Sequence, residues 1–143
     1  MVKISRKTII IAEAGVNHNN NLSKINKMIE SASKIGADYI KFQSYITENL
    51  IIKNTPKVNY QKKNTKENES QFSMLKKYEL SSKVYKTIFD KCKKKRIKPL
   101  FSVFDNDSFN FLRKNFKINA VKIASGEITN YPLLKNIAKT NID

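Results

Sequence analysis

The chain is short of several things at once: one cysteine, one histidine, three glycines, three prolines and twelve acidic residues among 143. The single cysteine, Cys92, excludes an intramolecular disulfide and suits a reducing cytoplasm. It falls in a lysine-rich helical stretch and reads as structural or incidental. No run of about 18 apolar residues occurs, so no membrane-spanning helix is expected. The opening MVKISRKTIIIAEAG has a basic start and a short apolar segment, as an export signal would. Glu13 interrupts that segment before any cleavage-like site, so it reads as a first strand. Neither a Walker-type loop nor a G-x-G-x-x-G is present, which argues against a nucleotide-binding open sheet. His18, the lone histidine, cannot build a His-rich metal site within this chain, and a lone histidine is more often a hydrogen-bonded structural residue than a ligand. No nucleophile–base set is legible.

What is abundant is positive charge: 28 lysines and arginines give a net charge of +16. Nucleic-acid binding is the functional reading of such a balance. The lysines are spread along the whole chain, however, and the tightest run, KCKKKRIK at 91–98, reads as a helix end, where the backbone dipole favours cations. Nucleic acid is therefore the unlikely partner. Attraction for small anionic substrates is the reasonable one.

Short apolar runs alternate with helical patterns. TIIIAEAG (8–15) is a continuous β-branched run, as in a strand covered on both faces. Leu22, Ile25, Ile29, Ala32 and Ile35 then recur at helical spacing, with an asparagine at 20–21 to cap the start and Gly36 just past the end. ADYIKFQSY (37–45) is a second strand. Residues 46–69 form a long polar connection, and such a loop in a compact domain is usually functional or disordered. Residues 70–80 suggest a helical turn or two. Ser81 caps a second long helix, and IKPLFSVF (97–104) is a third strand, with Pro99 tolerable near its start. DNDSFNFLRKNF is a short helix, INAVKIAS (118–125) a fourth strand, and YPLLKNIAK (131–139) a helix with proline in its first turn. This α/β alternation implies parallel pairing with right-handed crossovers. Two architectures fit it: an open doubly wound sheet, or the first half of a (β/α)8 barrel.

Each strand ends in polar chemistry: Glu13 then Gly15, Asn17 and His18; Lys41 and Gln43; Ser102 and Asp105; Lys122 then Ser125, Gly126 and Glu127. Strand side chains alternate faces. Tyr39, Lys41 and Gln43 therefore share one face while Ile40 and Phe42 take the other. In the fourth strand Ala120, Lys122 and Ala124 oppose Val121 and Ile123. The aliphatics suit a helix-covered side, and the lysines then point to the other, which in a barrel is the interior below the C-terminal mouth where active sites sit. Buried ammonium groups need anionic partners. Glu13 and Glu127 could supply them within the chain; alternatively the lysines clamp a substrate phosphate or carboxylate. The Ser-Gly-Glu turn favours the clamp, since Gly126 lets backbone N–H groups come close to a ligand and a helix start follows.

Taken together these stretches resemble the sialic acid synthase family, that is, N-acetylneuraminate synthase and its legionaminate and pseudaminate relatives. The matching segments are IAEAGVNHNNNL (11–22), GADYIKFQSY (36–45), YQ (60–61) followed by ML (74–75) and EL (79–80), LFSVFD (100–105) and VKIASGEITNYPLL (121–134). The resemblance runs in order along nearly the whole chain. It implies a parallel (β/α)4 half of a TIM-type (β/α)8 barrel, spanning 1–143, with the second half and a C-terminal antifreeze-like domain absent.

The resemblance further implies condensation of phosphoenolpyruvate with N-acetylmannosamine or a related amino sugar, with release of phosphate. Lys41, Lys122, Ser102 and Ser125 would hold phosphoenolpyruvate, Gln43 and Glu127 would touch the sugar, and Glu13 would lie near the reacting carbons. Glu13 and Lys122 are thus the candidate catalytic pair. A divalent metal, manganese or magnesium, is expected for the full-length family, with ligands outside this chain. The full-length family is a homodimer, and this chain would be free to self-associate through open sheet edges. Val103 stands where the family usually has proline, and Ser102 where it has threonine. The sequence ends where a fifth strand should begin, so the isolated chain is expected to be inactive. The competing expectation is a non-catalytic basic half-barrel that binds a complementary polypeptide or nucleic acid.

Overall fold

The computed structural model describes residues 8–53 and 70–143. Tyr60 and Gln61, expected in a substrate loop, lie outside the described residues. Within them the chain runs β1 (Ile11–Gly15), α1 (Leu22–Lys34), β2 (Tyr39–Ser44), α2 (Thr47–Leu50), α3 (Gln71–Tyr78), α4 (Ser82–Lys95), β3 (Lys98–Val103), α5 (Asn106–Asn115), β4 (Lys122–Ile123), a 3-10 turn (Ser125–Glu127) and α6 (Tyr131–Ala138). The four strands form one sheet in the order β1-β2-β3-β4, and every pairing is parallel. The strand order follows the chain order without reversal, as in a barrel wall. A doubly wound sheet would reverse direction at a switch point.

The helices start and stop as local chemistry dictates. Asn21 caps α1 by accepting the Lys24 N–H, and Gly36, at φ +76°, follows the helix end in a left-handed conformation. Ile25, Ile29 and Ala32 are buried; Leu22 and Ile35, expected on the same stripe, are exposed at the two ends. The Ser81 side chain makes no capping bond at the start of α4. That helix ends on Arg96 at φ +55°, a left-handed turn without glycine. Its last turn holds Lys93, Lys94 and Lys95, where the dipole favours them.

Ile40, Phe42, Phe101 and Val103 project from one side of the sheet and are at most 2% exposed. They pack with Ile25 and Ile29 of α1, Ile88 and Cys92 of α4, Phe109 and Leu112 of α5 and Leu133 of α6. Cys92 is fully buried, and burial pushes its thiol up to about 12, so it behaves as a small apolar core residue.

Two strands differ from expectation. β1 starts at Ile11, and Ile9, Ile10 and Ile11 are about half exposed because they lie along an edge of the described sheet. The fourth strand, expected over 118–125, is only Lys122–Ile123. Upstream of it the backbone is occupied otherwise: Val121 donates to the Asp143 carbonyl at 2.7 Å and Asp143 donates to the Asn119 carbonyl at 3.0 Å. One residue bridging i and i+2 on its neighbour is the spacing of a parallel ladder. A barrel wall at this edge would continue in the same direction.

Candidate functional site

The strand registers decide which side chains share a face. Glu13 pairs with Lys41, Gln43 with Ser102, and Ser102 with Lys122. Paired residues in a sheet point the same way, so Glu13, Lys41, Gln43, Ser102 and Lys122 all project from the side opposite the helices. Three of them touch. The Lys41 ammonium lies 2.5 Å from a Glu13 carboxylate oxygen and donates to the Ser102 hydroxyl at 3.2 Å. Lys41 is 14% exposed and Glu13 54% exposed. Ser102 is buried.

Lys122 was expected to be buried between small neighbours. It is exposed, because β4 is short and lies next to an open edge. Among the described residues its ammonium makes no ion pair. By register Lys122 is level with Gln43, so it stands two strands across and two residues further along the sheet than Lys41; the two backbones are roughly 11–12 Å apart, with Ser102 of β3 between them. Two long lysine side chains can converge from these positions on a small molecule with two anionic groups. Glu13 therefore takes one lysine, and the other cation stays available.

The turn after β1 shapes one side of this face. The β1–β2 register slips between Glu13 and Gly15, and Gly15 turns at φ +52°. The left-handed backbone favours glycine there, and a Cβ would lie 3.3 Å from a Glu13 carboxylate oxygen, close enough to make that side chain shift. Asn19 and Asn20 continue the turn at positive φ, which asparagine tolerates better than most residues. His18 closes it from beneath. It is buried against the Phe42 ring, and its Nδ1 accepts the Asn20 N–H at 2.9 Å. Desolvation lowers its pKa against an opposing backbone hydrogen bond with Gly15. The imidazole is a neutral structural acceptor.

At the C-terminal ends of the strands lies a cleft of about 650 Å³. Gln43 and Glu127 line it, together with Asn17 and Asn19 from the β1 turn. Its far wall is apolar: Tyr45 and Phe104 from the strand ends, Leu50 of α2 with Ile51 just after it, and Met74, Leu75 and Tyr78 from α3. Glu127 is fixed by Asn130, whose side-chain amide donates to it at 2.7 Å while its own oxygen caps α6. Ser125 and Gly126 are exposed in the turn above Lys122. A Cβ on Gly126 would meet open space and its φ is not positive, so the fold alone does not call for glycine there.

Asp105 plays a part that its polar character alone did not reveal. One carboxylate oxygen caps α5 through the Ser108 N–H at 2.8 Å; the other accepts the Ile46 N–H at 2.9 Å. It thus ties the end of β3 to the end of β2 beneath the cleft. The Asp-x-x-Ser spacing at 105–108 was a readable signal for the cap. The cleft asparagines and α3 carried no such signal.

Two lysines of α4 are engaged locally: Lys91 and Lys95 reach Glu30 of α1 at 2.6 and 3.5 Å. Among the described residues no group of three histidine, cysteine, aspartate or glutamate side chains gathers as a metal site would, and no helix is long and apolar enough to cross a membrane.

Comparison with known proteins agrees with this fold. The N,N'-diacetyllegionaminic acid synthase of Campylobacter jejuni is 46% identical over 136 residues, covering 95% of this chain and 40% of that protein. The synthase of the same name from Legionella pneumophila is 37% identical, covering 96% and 38%. The chain therefore spans about 40% of the length of these curated relatives. Among solved structures, an N-acetylneuraminic acid synthetase from Leptospira borgpetersenii in complex with citrate superposes with a TM-score of 0.74 at 29% identity, over 94% of this chain and 42% of that one. The spore coat polysaccharide biosynthesis protein SpsE of Bacillus subtilis gives 0.72 at 30% identity, over 96% and 35%. The parallel (β/α)4 unit is thus the fold of part of a sialic acid synthase barrel. The NeuB family profile matches residues 28–143, and the chain belongs to the NeuB family.

Proposed function

We propose that this chain carries the phosphoenolpyruvate-binding part of a nonulosonic acid synthase, an enzyme that joins phosphoenolpyruvate to an N-acylated amino sugar and releases phosphate. The observation that carries this reading is the set Glu13, Lys41, Ser102 and Lys122 on one face, with one lysine paired and the other, among the described residues, without an ion pair. Phosphoenolpyruvate has a phosphate and a carboxylate a few ångströms apart, which matches two cations with a hydroxyl between them. Its binding offsets the cost of holding Lys41 in a largely desolvated place. Ser125 and the open backbone at Gly126 add donors at the phosphate end. Gln43 and Glu127, which line the cleft, meet the polar groups of the sugar. The apolar far wall receives its acyl methyl group.

In the reaction, C3 of phosphoenolpyruvate bonds to the aldehyde carbon of the open-chain sugar. Water adds at C2, and phosphate leaves with cleavage of its C–O bond. Lys41 and Lys122 hold the charge that departs on phosphate. Glu13, already against Lys41, is the nearest carboxylate to the reacting carbons and serves as proton carrier or electrostatic partner. The family reaction also implies a divalent cation that activates the aldehyde. The described residues do not fit such an ion, since the one histidine is buried and its Nδ1 is committed to Asn20. The role of this chain is binding and charge placement.

Equilibrium binding tests the reading. The purified chain should bind phosphoenolpyruvate, and Lys41→Ala and Lys122→Ala should each weaken binding by about tenfold or more, the order for one desolvated charge-assisted contact. With manganese and N-acetylmannosamine added, the chain alone should release no phosphate. Wild-type binding that survives both substitutions would sink the assignment.

A further inference from the structure

Helix α3 lines the cleft through Gln71, Met74, Leu75 and Tyr78, and polar ties hold its C-terminal end. The Tyr45 hydroxyl donates to the Leu75 carbonyl at 2.9 Å, and the Asn20 side-chain amide donates to the Glu79 carbonyl at 3.1 Å. Behind the helix end lies a second hollow of about 160 Å³, bounded by Tyr45, Glu79, Leu80 and Tyr85 among others.

The strongest tie is the Glu79 carboxylate. One of its oxygens accepts both the N–H and the hydroxyl of fully buried Thr47, at 2.9 and 2.6 Å. Lys76 bridges Glu79 and Glu48 at 3.0 and 2.9 Å. Burial alone would raise the Glu79 carboxyl, but the Thr47 bonds and the Lys76 ammonium outweigh it and hold the group below the ordinary glutamate range. Glu79 does not line the main cleft. Its carboxylate couples two elements that do: α2, which begins at Thr47, and α3, which ends one residue before Glu79.

We infer that Glu79 is a positioning residue: by clamping Thr47 it fixes the α2–α3 wall of the cleft and so sets affinity for the acceptor sugar, while leaving the anion face on β1–β4 unaffected. The inference rests on the functional reading above. Glu13, Lys41, Ser102 and Lys122 are held by strand registers that do not involve α3. The two halves of the site should therefore respond separately.

The test uses the whole chain and two probes, phosphoenolpyruvate and N-acetylmannosamine, with binding followed by NMR titration. Glu79→Gln keeps the side-chain shape and removes the charge. It should weaken sugar binding by about tenfold, the order for a lost charge-assisted hydrogen bond, and leave phosphoenolpyruvate affinity within about twofold. Thr47→Val should behave like Glu79→Gln. Thr47→Ser, which keeps both donors, should behave like wild type, a rescue that general loosening would not give. Amide exchange should quicken in α3 and not in α1 or α4. If Glu79→Gln fails to fold, the Thr47→Val and Thr47→Ser pair decides the matter. Unchanged sugar binding in a folded variant, equal loss of both ligands, or unaltered exchange in α3 would overturn the clamp. A wild-type chain that binds the sugar but not phosphoenolpyruvate overturns the functional reading, and leaves the clamp to be judged by the sugar and exchange data.

Discussion

The two faces of the same four strands are built on opposite terms. On the helix side Ile40, Phe42, Phe101 and Val103 are sealed and make dozens of small dispersion contacts. On the other side, at alternate positions of the same strands, Glu13, Lys41, Gln43, Ser102 and Lys122 meet water or one another. Stability belongs to the first face, and the proposed chemistry to the second. A period of two lets one short strand serve both.

The sharpest way to break this division is on the sealed side. Phe101 touches the rings of Phe42, Tyr85 and Phe89 at 5.5–6.0 Å between centroids. Phe101→Ala should cost about 3–5 kcal/mol in a urea titration. A loss below about 1 kcal/mol would mean that the core is not where the fold puts it. Next in size is Asp105→Ala, which removes a helix cap and the tie to Ile46 together. It should cost about 1–2 kcal/mol by the same measurement.

A smaller effect should appear with pH. His18 and Glu79 both have folded-state pKa values below their ordinary ones. For each, the unfolded chain binds its proton first as pH falls. The stability they contribute is therefore complete above the ordinary value and is lost on acidification toward the folded one. The His18 part should be lost as pH falls below the ordinary histidine range, and the Glu79 part as it falls below the ordinary glutamate range. His18→Asn, with an oxygen to stand in for Nδ1 and no titration, should flatten the upper part of the curve. Smallest of all is Lys122→Ala. An exposed lysine that makes no ion pair among the described residues should change stability by less than about 0.5 kcal/mol, although the same substitution should weaken phosphoenolpyruvate binding.

The same contrast explains what the sequence disclosed. The alternation IKFQS in β2 announced both faces at once, and the helix spacing of Ile25, Ile29 and Ala32 announced what covers one of them. Glu13, Lys41 and Ser102 could be named because strand ends rarely carry such residues without a use. The state of Lys122 was not legible: periodicity gives a face, but exposure depends on whether a neighbouring strand lies alongside. Nor was the Thr47–Glu79 pair, since 32 residues separate its members and neither sits in a periodic pattern. Asp105 lies between these cases. Its cap could be read from local spacing, but its reach to Ile46 could not, because that contact exists only once β2 and β3 are paired.

The central claim is that the helix-free face of the sheet grips a small dianion. A backbone NMR titration of the whole chain with phosphoenolpyruvate tests it most directly, because it reports every lysine-bearing segment at once. Saturable shifts centred on Glu13, Lys41, Ser102 and Lys122 to Gly126, abolished in Lys41→Ala, are the predicted result. Shifts confined to the Lys93–Lys95 end of α4, or none on β2 and β4, would contradict it.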